Sequence, residues 1–192
     1  MKRLGAVVLC AVIATFLLTG CQGPTKTNND PNMVILLTDS KAFPKQLAGK
    51  WIEAENKWEI TFEKNGTVSS VLHPFGLVTI TPGKMTVVPL ADEGKAEIQA
   101  GKCVVQYSHQ TRELVIEINI DNMLWNKGKE ILEGNSKDII WGKVSDDGTT
   151  WEAQWQSFPK YFVTTEAYNK YELPMEEGGD DKGVIVFKKS KK

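Results

Sequence analysis

Apolar and polar residues alternate along most of the chain from Leu47 onward, and turn-forming residues interrupt the alternation at short intervals. Residues 58–62 read apolar, polar, apolar, polar, apolar, which is the pattern of a strand with one buried face. Asn65-Gly66 follows and favours a two-residue hairpin turn, because both central positions of a type I′ turn need positive φ. This part of the chain therefore predicts two strands joined by a tight turn.

Two further hairpins are predicted in the second half of the chain, each with a polar turn between its strands. In the later strand of each hairpin the apolar residues occupy alternate positions, so that Trp151 and Trp155 share one face. The strands of these hairpins are residues 102–107 with 113–121, and 139–144 with 151–158; the shorter strand candidates are residues 68–72, 77–80, 85–88 and 184–187.

About eight to ten such strands with almost no helical periodicity predict an all-β domain. Because short hairpins join successive strands, we expect an antiparallel meander β-barrel of about eight strands, and a jelly-roll β-sandwich is the alternative. An irregular lead-in, residues 39–46, precedes the first of these strands and is placed to plug one end of a barrel.

The N-terminal residues follow a different pattern. Lys2 and Arg3 precede a mostly apolar run, residues 4–18, which ends in Leu18-Thr19-Gly20-Cys21. A basic start, a short apolar run and small residues before the cleavage point are the layout of an export signal, and the run is shorter than the roughly 20 residues of a membrane-spanning helix. These residues resemble the signal and lipobox of bacterial lipoproteins. The resemblance implies cleavage before Cys21, a diacylglyceryl thioether on its sulfur and an acyl chain on the new N-terminus.

This resemblance divides the chain into a signal peptide at residues 1–20, a lipidated tether at 21–33, a β domain at 34–188 and a basic tail at 189–192. Two or three acyl chains make release from a membrane very slow, because each buried methylene adds roughly 0.8 kcal/mol. Gln22, rather than aspartate, follows the cysteine, which is similar to Gram-negative lipoproteins sorted to the outer membrane. In a Gram-positive cell the same signal implies the plasma membrane.

Composition narrows the set of partners. Without Lys2 and Arg3 the basic count falls from 23 to 21 against 24 acidic residues, so we expect no binding to nucleic acid. Of the three cysteines, Cys10 leaves with the signal and Cys21 carries the lipid, which leaves no pair for an intramolecular disulfide. The remaining Cys103 lies in an apolar strand and is expected to be a small buried hydrophobe.

Gly49-Lys50-Trp51 stands near the start of the alternating region. It resembles the Gly-x-Trp opening of the lipocalin and calycin barrels, which implies that Trp51 caps the base of a barrel beneath an arginine from near the last strand. This chain offers only Lys188 or Lys189 there. Lysine cannot stack on an aromatic ring and donate paired hydrogen bonds as a guanidinium does. The resemblance favours a lipocalin-like barrel over the sandwich.

Residues 145–151, Ser-Asp-Asp-Gly-Thr-Thr-Trp, resemble two known turn motifs. They are similar to the Asp-box of sialidase-type propellers but one residue short, and to the Ser-x-Asp-Gly-x-x-Trp hairpin of discoidin-type jelly rolls. The second resemblance implies a glycan-binding sandwich. The residues need no ligand to explain them, because aspartate bonds its own following amides and glycine supplies positive φ.

Tryptophan is abundant for a chain of this length, with Trp51, Trp58, Trp125, Trp141, Trp151 and Trp155. Aromatic faces stack on sugars or line apolar cavities, whereas large aromatics on one face of a strand are usually core. We expect Trp51 and Trp58 in the core. The candidate ligand contacts are Trp125, Trp151 and Trp155, the first because it lies in a predicted polar turn, residues 121–129, where no alternation explains its burial.

Catalytic motifs are absent from the sequence, which has no Gly-x-Ser-x-Gly elbow, phosphate loop or His-Glu-x-x-His pattern. His73 and His109 are isolated, and the acidic run at residues 176–181 lacks the spacing of a calcium loop. We expect no metal, no cofactor and no enzyme; a glycosidase with paired carboxylates is the enzyme to test. Two functions stay open: a lipid-anchored barrel that binds a small apolar molecule or an envelope component, and a surface module that recognises glycan or protein through its loops.

Overall fold

The computed structural model describes residues 25–26, 30–38, 42–74, 77–89, 94–127, 130–163 and 182–191. The predictions for the signal peptide, Cys21, Gln22 and the acidic run at 176–181 lie outside these residues. Within them, no helix is long and apolar enough to cross a bilayer. The strands are β1 (Thr25–Lys26), β2 (Met33–Leu37), β3 (Gly49–Ile52), β4 (Glu59–Phe62), β5 (Val68–His73), β6 (Val78–Ile80), β7 (Met85–Pro89), β8 (Lys95–Tyr107), β9 (Glu113–Lys127), β10 (Glu130–Val144), β11 (Thr150–Val163) and β12 (Lys182–Lys189), and a 3₁₀ turn spans Lys45–Leu47.

The all-β prediction is confirmed, and the strands form one mixed sheet. Its order is β1-β2-β8-β9-β10-β11-β12-β3-β4-β5-β6, and β7 pairs with β8 beside this path. Strands β8 to β12 are consecutive antiparallel neighbours, and β12 pairs back to β3. The three predicted hairpins are therefore present, with longer strands in the second half of the chain than the local alternation indicates.

Strand β2 takes a place that alternation along the chain does not reveal. It runs parallel to β8, from the pair Met33↔Cys103 to the pair Leu37↔Tyr107, and β7 pairs with the earlier part of β8. No ladder joins β6 to β7 within the described residues, so the sheet is open. The sequence pattern predicts an antiparallel barrel of about eight strands. The sheet has more strands than that, its β2 runs parallel to β8, and over the described residues it is not closed.

Parts of the predicted tether also lie in the sheet. Thr25 and Lys26 pair with Leu37 and Leu36, and Met33 begins β2. These residues lie within the range 21–33, which the amino-acid composition assigns to a tether. The composition misleads here because backbone pairing with another strand leaves no trace in it.

The chain between β2 and β3 crosses one end of the sheet. Phe43 is buried and stacks on Phe62 with ring centroids 5.8 Å apart. A Cβ on Gly66, in the β4–β5 turn, would lie 2.8 Å from the Phe43 ring, and Gly148, in the β10–β11 turn, lies against Gln46. Residues 42–46, from the lead-in expected to plug a barrel, pack over this end of the sheet, and we name it the plugged end. The distal end is the opposite one, where β7 finishes and β8 begins. Strand β12 begins part-way along the long strands, since its first residue, Lys182, pairs with Gln156 of β11.

Inward-facing residues of the strands form one hydrophobic cluster. Trp51, Trp58 and Trp151 are among its largest fully buried members, as expected for the first two. Between Cys103 and Ile118 the core leaves a space of only about 10 Å³, room for a single water molecule at most. Side chains thus fill the interior at this level.

Candidate ligand-binding site

A polar cluster interrupts the hydrophobic core about half-way along β10 and β11, beside the start of β12. Strand β10 places Asp138 on the same inward row as Ile140, and the Asp138 carboxylate has no exposed surface. His73, the last residue of β5, faces the carboxylate with a side chain only 10% exposed. The sheet thereby brings together two polar side chains that lie 65 positions apart in the sequence.

Both oxygens of the Asp138 carboxylate are engaged. Nε2 of His73 lies 2.9 Å from Oδ2, and the indole N–H of Trp155 donates to Oδ1 over 3.2 Å. Within the described part of the chain, no lysine or arginine pairs with this carboxylate. The imidazole and the indole are therefore the groups that compensate its burial, which would otherwise be strongly unfavourable. The three side chains hold each other in fixed positions.

Trp58 packs against the edge of this cluster. Its ring makes T-shaped contacts with His73, at 4.7 Å between ring centroids, and with Trp155, at 6.1 Å. The side chain is fully buried, and its indole Nε1 has no hydrogen-bond partner among the described residues. A buried donor without a partner is unusual, because nothing compensates its desolvation. The indole N–H of Trp151, at the plugged end, is likewise without a partner among the described residues.

Trp155 is the tryptophan of the cluster that stays partly exposed. Gly183 lies directly opposite it across the β11–β12 ladder, and a Cβ on Gly183 would sit 4.0 Å from indole Cε3. Because paired residues share a face and glycine has no side chain, no side chain of the described residues covers this flank of the ring at Gly183. Trp155 is an aromatic platform whose N–H is held by Asp138.

Trp125 does not lie in a turn. Strand β9 continues past it, and Trp125 pairs there with Ala96 of β8 and Leu132 of β10. The polar turn predicted for residues 121–129 is wrong over its described part, because a bulge at Asp121 places two polar residues in succession and disguises the strand. The indole of Trp125 lies outside the described side chains, so its contact with a ligand stays a prediction.

Trp151 is part of the core at the plugged end. It has no exposed surface, and its ring stacks on Phe187 with centroids 4.8 Å apart and an interplanar angle of 22°. A ligand that arrives from solvent does not reach this ring. The two tryptophans that share a face of β11 therefore have different surroundings, and only Trp155 belongs to the polar cluster.

The turn before Trp151 is closed by its own hydrogen bonds. The Ser145 hydroxyl donates to Asp147 over 2.5 Å, and the Thr149 hydroxyl donates over 2.8 Å. These bonds hold the pKa of the Asp147 carboxyl below its usual value of 3.8. The bond from Ser145 has the largest effect, and those from Thr149 follow. Gly148 has a φ of 68°, as the turn requires. This internal bonding explains the likeness to the Asp-box without a ligand.

Trp51 and Lys189 lie opposite each other in the β3–β12 ladder at the plugged end. The indole of Trp51 donates to the carbonyl of Leu47 over 2.8 Å, and the ammonium of Lys189 donates to the carbonyl of Gln46. A Cβ on Gly49, whose φ is 119°, would lie 3.3 Å from Cε of Lys189. A lysine of the last strand thus ties that strand to the segment that plugs the end.

Cys103 is buried, as the sequence predicts. Burial first, and then the charge of Glu117, raise the pKa of its thiol to about 12. The thiolate that would act as a nucleophile is therefore strongly disfavoured.

No group of three His, Cys, Asp or Glu side chains that could hold a metal ion occurs among the residues that the structure describes. No family model, curated protein or solved structure matches this chain.

The sequence pattern identifies Trp155 but not the partners that fix it. His73 stands alone in the sequence, and Asp138 directly precedes the strand predicted at residues 139–144. The sequence does contain one signal of a buried polar contact. Asp138 is two positions from the inward-facing Ile140 and so lies on the same face, and a charged residue on an inward face predicts a buried partner. The identity of that partner depends on a long-range strand arrangement that no local pattern contains.

Proposed function

We propose that this protein is a lipid-anchored, non-enzymatic binding protein that holds a small apolar molecule or an envelope component against Trp155. The observation that carries the proposal is the fixed, partly exposed indole: Asp138 holds its N–H, and among the described residues Gly183 leaves one flank without a side chain over it. A rigid aromatic surface loses little conformational entropy when a ligand packs on it.

A lipocalin-like barrel is the framework that we propose for this site. It is supported by the meander from β8 to β12, by the return of β12 to β3, and by the plug across one end. Lys189 pairs with Trp51 at the position where the barrels that the Gly-x-Trp motif resembles carry an arginine, so the chain keeps the charge there but not the guanidinium. A ligand then reaches Trp155 beside the start of β12, where Gly183 is exposed.

The lipid anchor is supported by the lipobox at residues 18–21, and Gln22 favours the outer membrane of a Gram-negative cell. Thiol titration tests it, because the chain has three cysteines before processing and Cys103 alone keeps a thiol afterwards. Protein extracted from membranes and denatured should react with one equivalent of thiol reagent. Three reactive thiols in that protein would show that neither cleavage nor lipidation had occurred.

Binding is tested with detergent-extracted full-length protein, incubated with an envelope lipid extract and examined by native mass spectrometry. Wild type should retain a ligand that Trp155→Ala loses. Trp141→Ala is the matched control, because Trp141 lies on the outward face of β10 and should leave retention unchanged. Equal retention by wild type and Trp155→Ala would remove this site from the proposal.

Surface recognition of a glycan or protein is the second candidate. It is favoured by the filled interior beside Cys103 and by an outer groove of about 400 Å³ on β9, β10 and β11. Phe158 and Asn119 line this groove and offer an aromatic face beside an amide. Glycan-array binding that disappears in Phe158→Ala and persists in Trp155→Ala would favour this candidate over the first.

A further inference from the structure

The strand β1 fixes the place where the N-terminal segment leaves the sheet. Thr25 pairs with Leu37, and Leu37 pairs with Tyr107, the last residue of β8. The β8–β9 turn that follows Tyr107 lies at the plugged end, as does the segment that leads from β2 to the 3₁₀ turn. The chain therefore enters the described fold at its plugged end.

Chain length then limits the position of Cys21. Four residue steps separate Cys21 from Thr25, and a fully extended chain spans at most about 14 Å over that number of steps. The sulfur that we propose to carry the lipid is therefore close to the plugged end. The platform at Trp155 lies five residues along β11 from its plugged-end start at Thr150, beside the first residues of β12.

The plugged end also carries a basic surface. An open groove of about 850 Å³ lies between the 3₁₀ turn, β3, β4 and the end of β12, and it is lined by Lys45, Lys50, Lys64 and Lys189. Glu63 is the acidic residue on its lining, and Lys50 is paired with Glu59 at 2.6 Å. Lys188 and Lys191 are exposed beside it at the end of the chain. The surface thus keeps an excess of positive charge.

We propose that the plugged end docks on the anionic lipid headgroups of the membrane that holds Cys21, so that the distal end faces away from the bilayer. The inference rests on the lipid anchor proposed above and extends it to an orientation. Lysines near an anionic membrane surface are attracted to it over about one Debye length, roughly 8 Å at physiological ionic strength. A short link to the acyl chains keeps the basic groove within that distance, whereas a freely rotating domain would spend little time there.

Energy transfer from a single introduced thiol to headgroup-labelled lipid tests the orientation in the full, lipidated chain. Ser190→Cys places the probe at the groove, and Asn122→Cys places it on an exposed position of β9, roughly 30 Å along the strand from the plugged end. Cys103 is buried with a pKa of about 12, so it stays unlabelled in the folded protein. Vesicles of phosphatidylcholine with and without phosphatidylglycerol supply the anionic and neutral surfaces.

The expected result is strong transfer from Ser190→Cys and weak transfer from Asn122→Cys on anionic vesicles. Lys45→Glu combined with Lys64→Glu should lower the ratio of docked to undocked protein by roughly 30-fold or more. Lys160→Glu combined with Lys182→Glu makes the same charge change at exposed sites towards the distal end and should leave transfer unchanged.

Flotation of the vesicles separates the two ways in which this inference fails. Protein that does not float with vesicles overturns the lipid anchor and the orientation together. Protein that floats but gives equal transfer from both probes overturns the orientation alone. Strong transfer from Ser190→Cys that survives the Lys45 and Lys64 reversals overturns docking on anionic headgroups.

Discussion

The indole N–H of Trp155 donates to the buried carboxylate of Asp138 over 3.2 Å, from the strand next to the one that carries Asp138. The other carboxylate oxygen is 2.9 Å from Nε2 of His73. A chain of two hydrogen bonds thus connects a partly exposed aromatic ring to a residue of a different part of the sheet. The orientation of the ring is set by buried groups rather than by the loops around it.

Removal of the carboxylate should destabilise the fold. Asp138→Leu keeps a similar volume but takes the acceptor from both Trp155 and His73, and we expect a loss of about 2–5 kcal/mol in the free energy of unfolding. Asp138→Asn keeps an oxygen for the indole and should lose less. Urea unfolding measures both, with Ser136→Ala on the same strand as control. If Asp138→Leu is as stable as wild type, the carboxylate does not hold the cluster together.

Covering the ring should block binding without unfolding the protein. Gly183 is on extended backbone with ordinary space around its missing Cβ, so Gly183→Leu should change stability by less than about 1 kcal/mol. Its side chain would lie over the bare flank of Trp155 and should weaken ligand retention at least tenfold. Val184→Leu, an exposed neighbour that faces away, is the control for retention measured by native mass spectrometry. Undiminished retention in Gly183→Leu would contradict the proposed contact face.

Lys189 should contribute to the stability of the plugged end. Lys189→Ala removes the bond to the Gln46 carbonyl and the stem beside Gly49, and a loss of about 1 kcal/mol is expected. Lys189→Arg should keep wild-type stability or exceed it, because a guanidinium can stack on Trp51 while it donates to the same carbonyl. Thermal unfolding compares the variants. A larger loss in the arginine variant than in the alanine variant would show that the site does not resemble the base of a calycin barrel.

Asp147 should make stability depend on pH on the acid side. Its pKa is lowered in the folded chain by Ser145 and then by Thr149, so the stabilisation is fully present above the usual value of 3.8. It is lost as the pH falls from there through the lower folded value. The melting temperature of wild type should therefore approach that of Asp147→Asn as the pH is lowered below about 4. A difference in melting temperature between wild type and Asp147→Asn that stays constant from pH 7 to the acid limit would contradict the lowered pKa of Asp147. Ser145→Ala, which removes one of the hydrogen bonds, should make that difference smaller.

The sequence predicts the local elements of this fold better than their arrangement. The alternation in residues 113–121 and 151–158 indicates long strands with the correct inward face, and Asn65-Gly66 indicates a turn that the structure contains. Local pattern fails at Asp121, where a bulge shifts the phase, and at β2, whose parallel partner is far away in the sequence.

For the candidate site, too, the sequence predicts a single residue better than its contacts. Trp155 is recognisable from its place on an aromatic strand face, whereas its contact with Asp138 depends on the register of β10 against β11. The approach of His73 depends on how β5 lies across the core from β10, and these strands are not neighbours in the sheet. Such a relationship is set by how the sheet wraps around its core, and no spacing along the chain encodes it.

The most direct test of the central claim is the indole ¹H–¹⁵N spectrum of the full-length protein, in which each of the six tryptophans contributes one resonance. Assignment by single Trp→Phe variants and addition of the ligand fraction recovered from the envelope extract should move the resonance of Trp155. The resonances of Trp51 and Trp151, which are buried at the plugged end, should stay in place. Retained ligand with an unmoved Trp155 resonance would contradict the proposal that this ring is the binding platform.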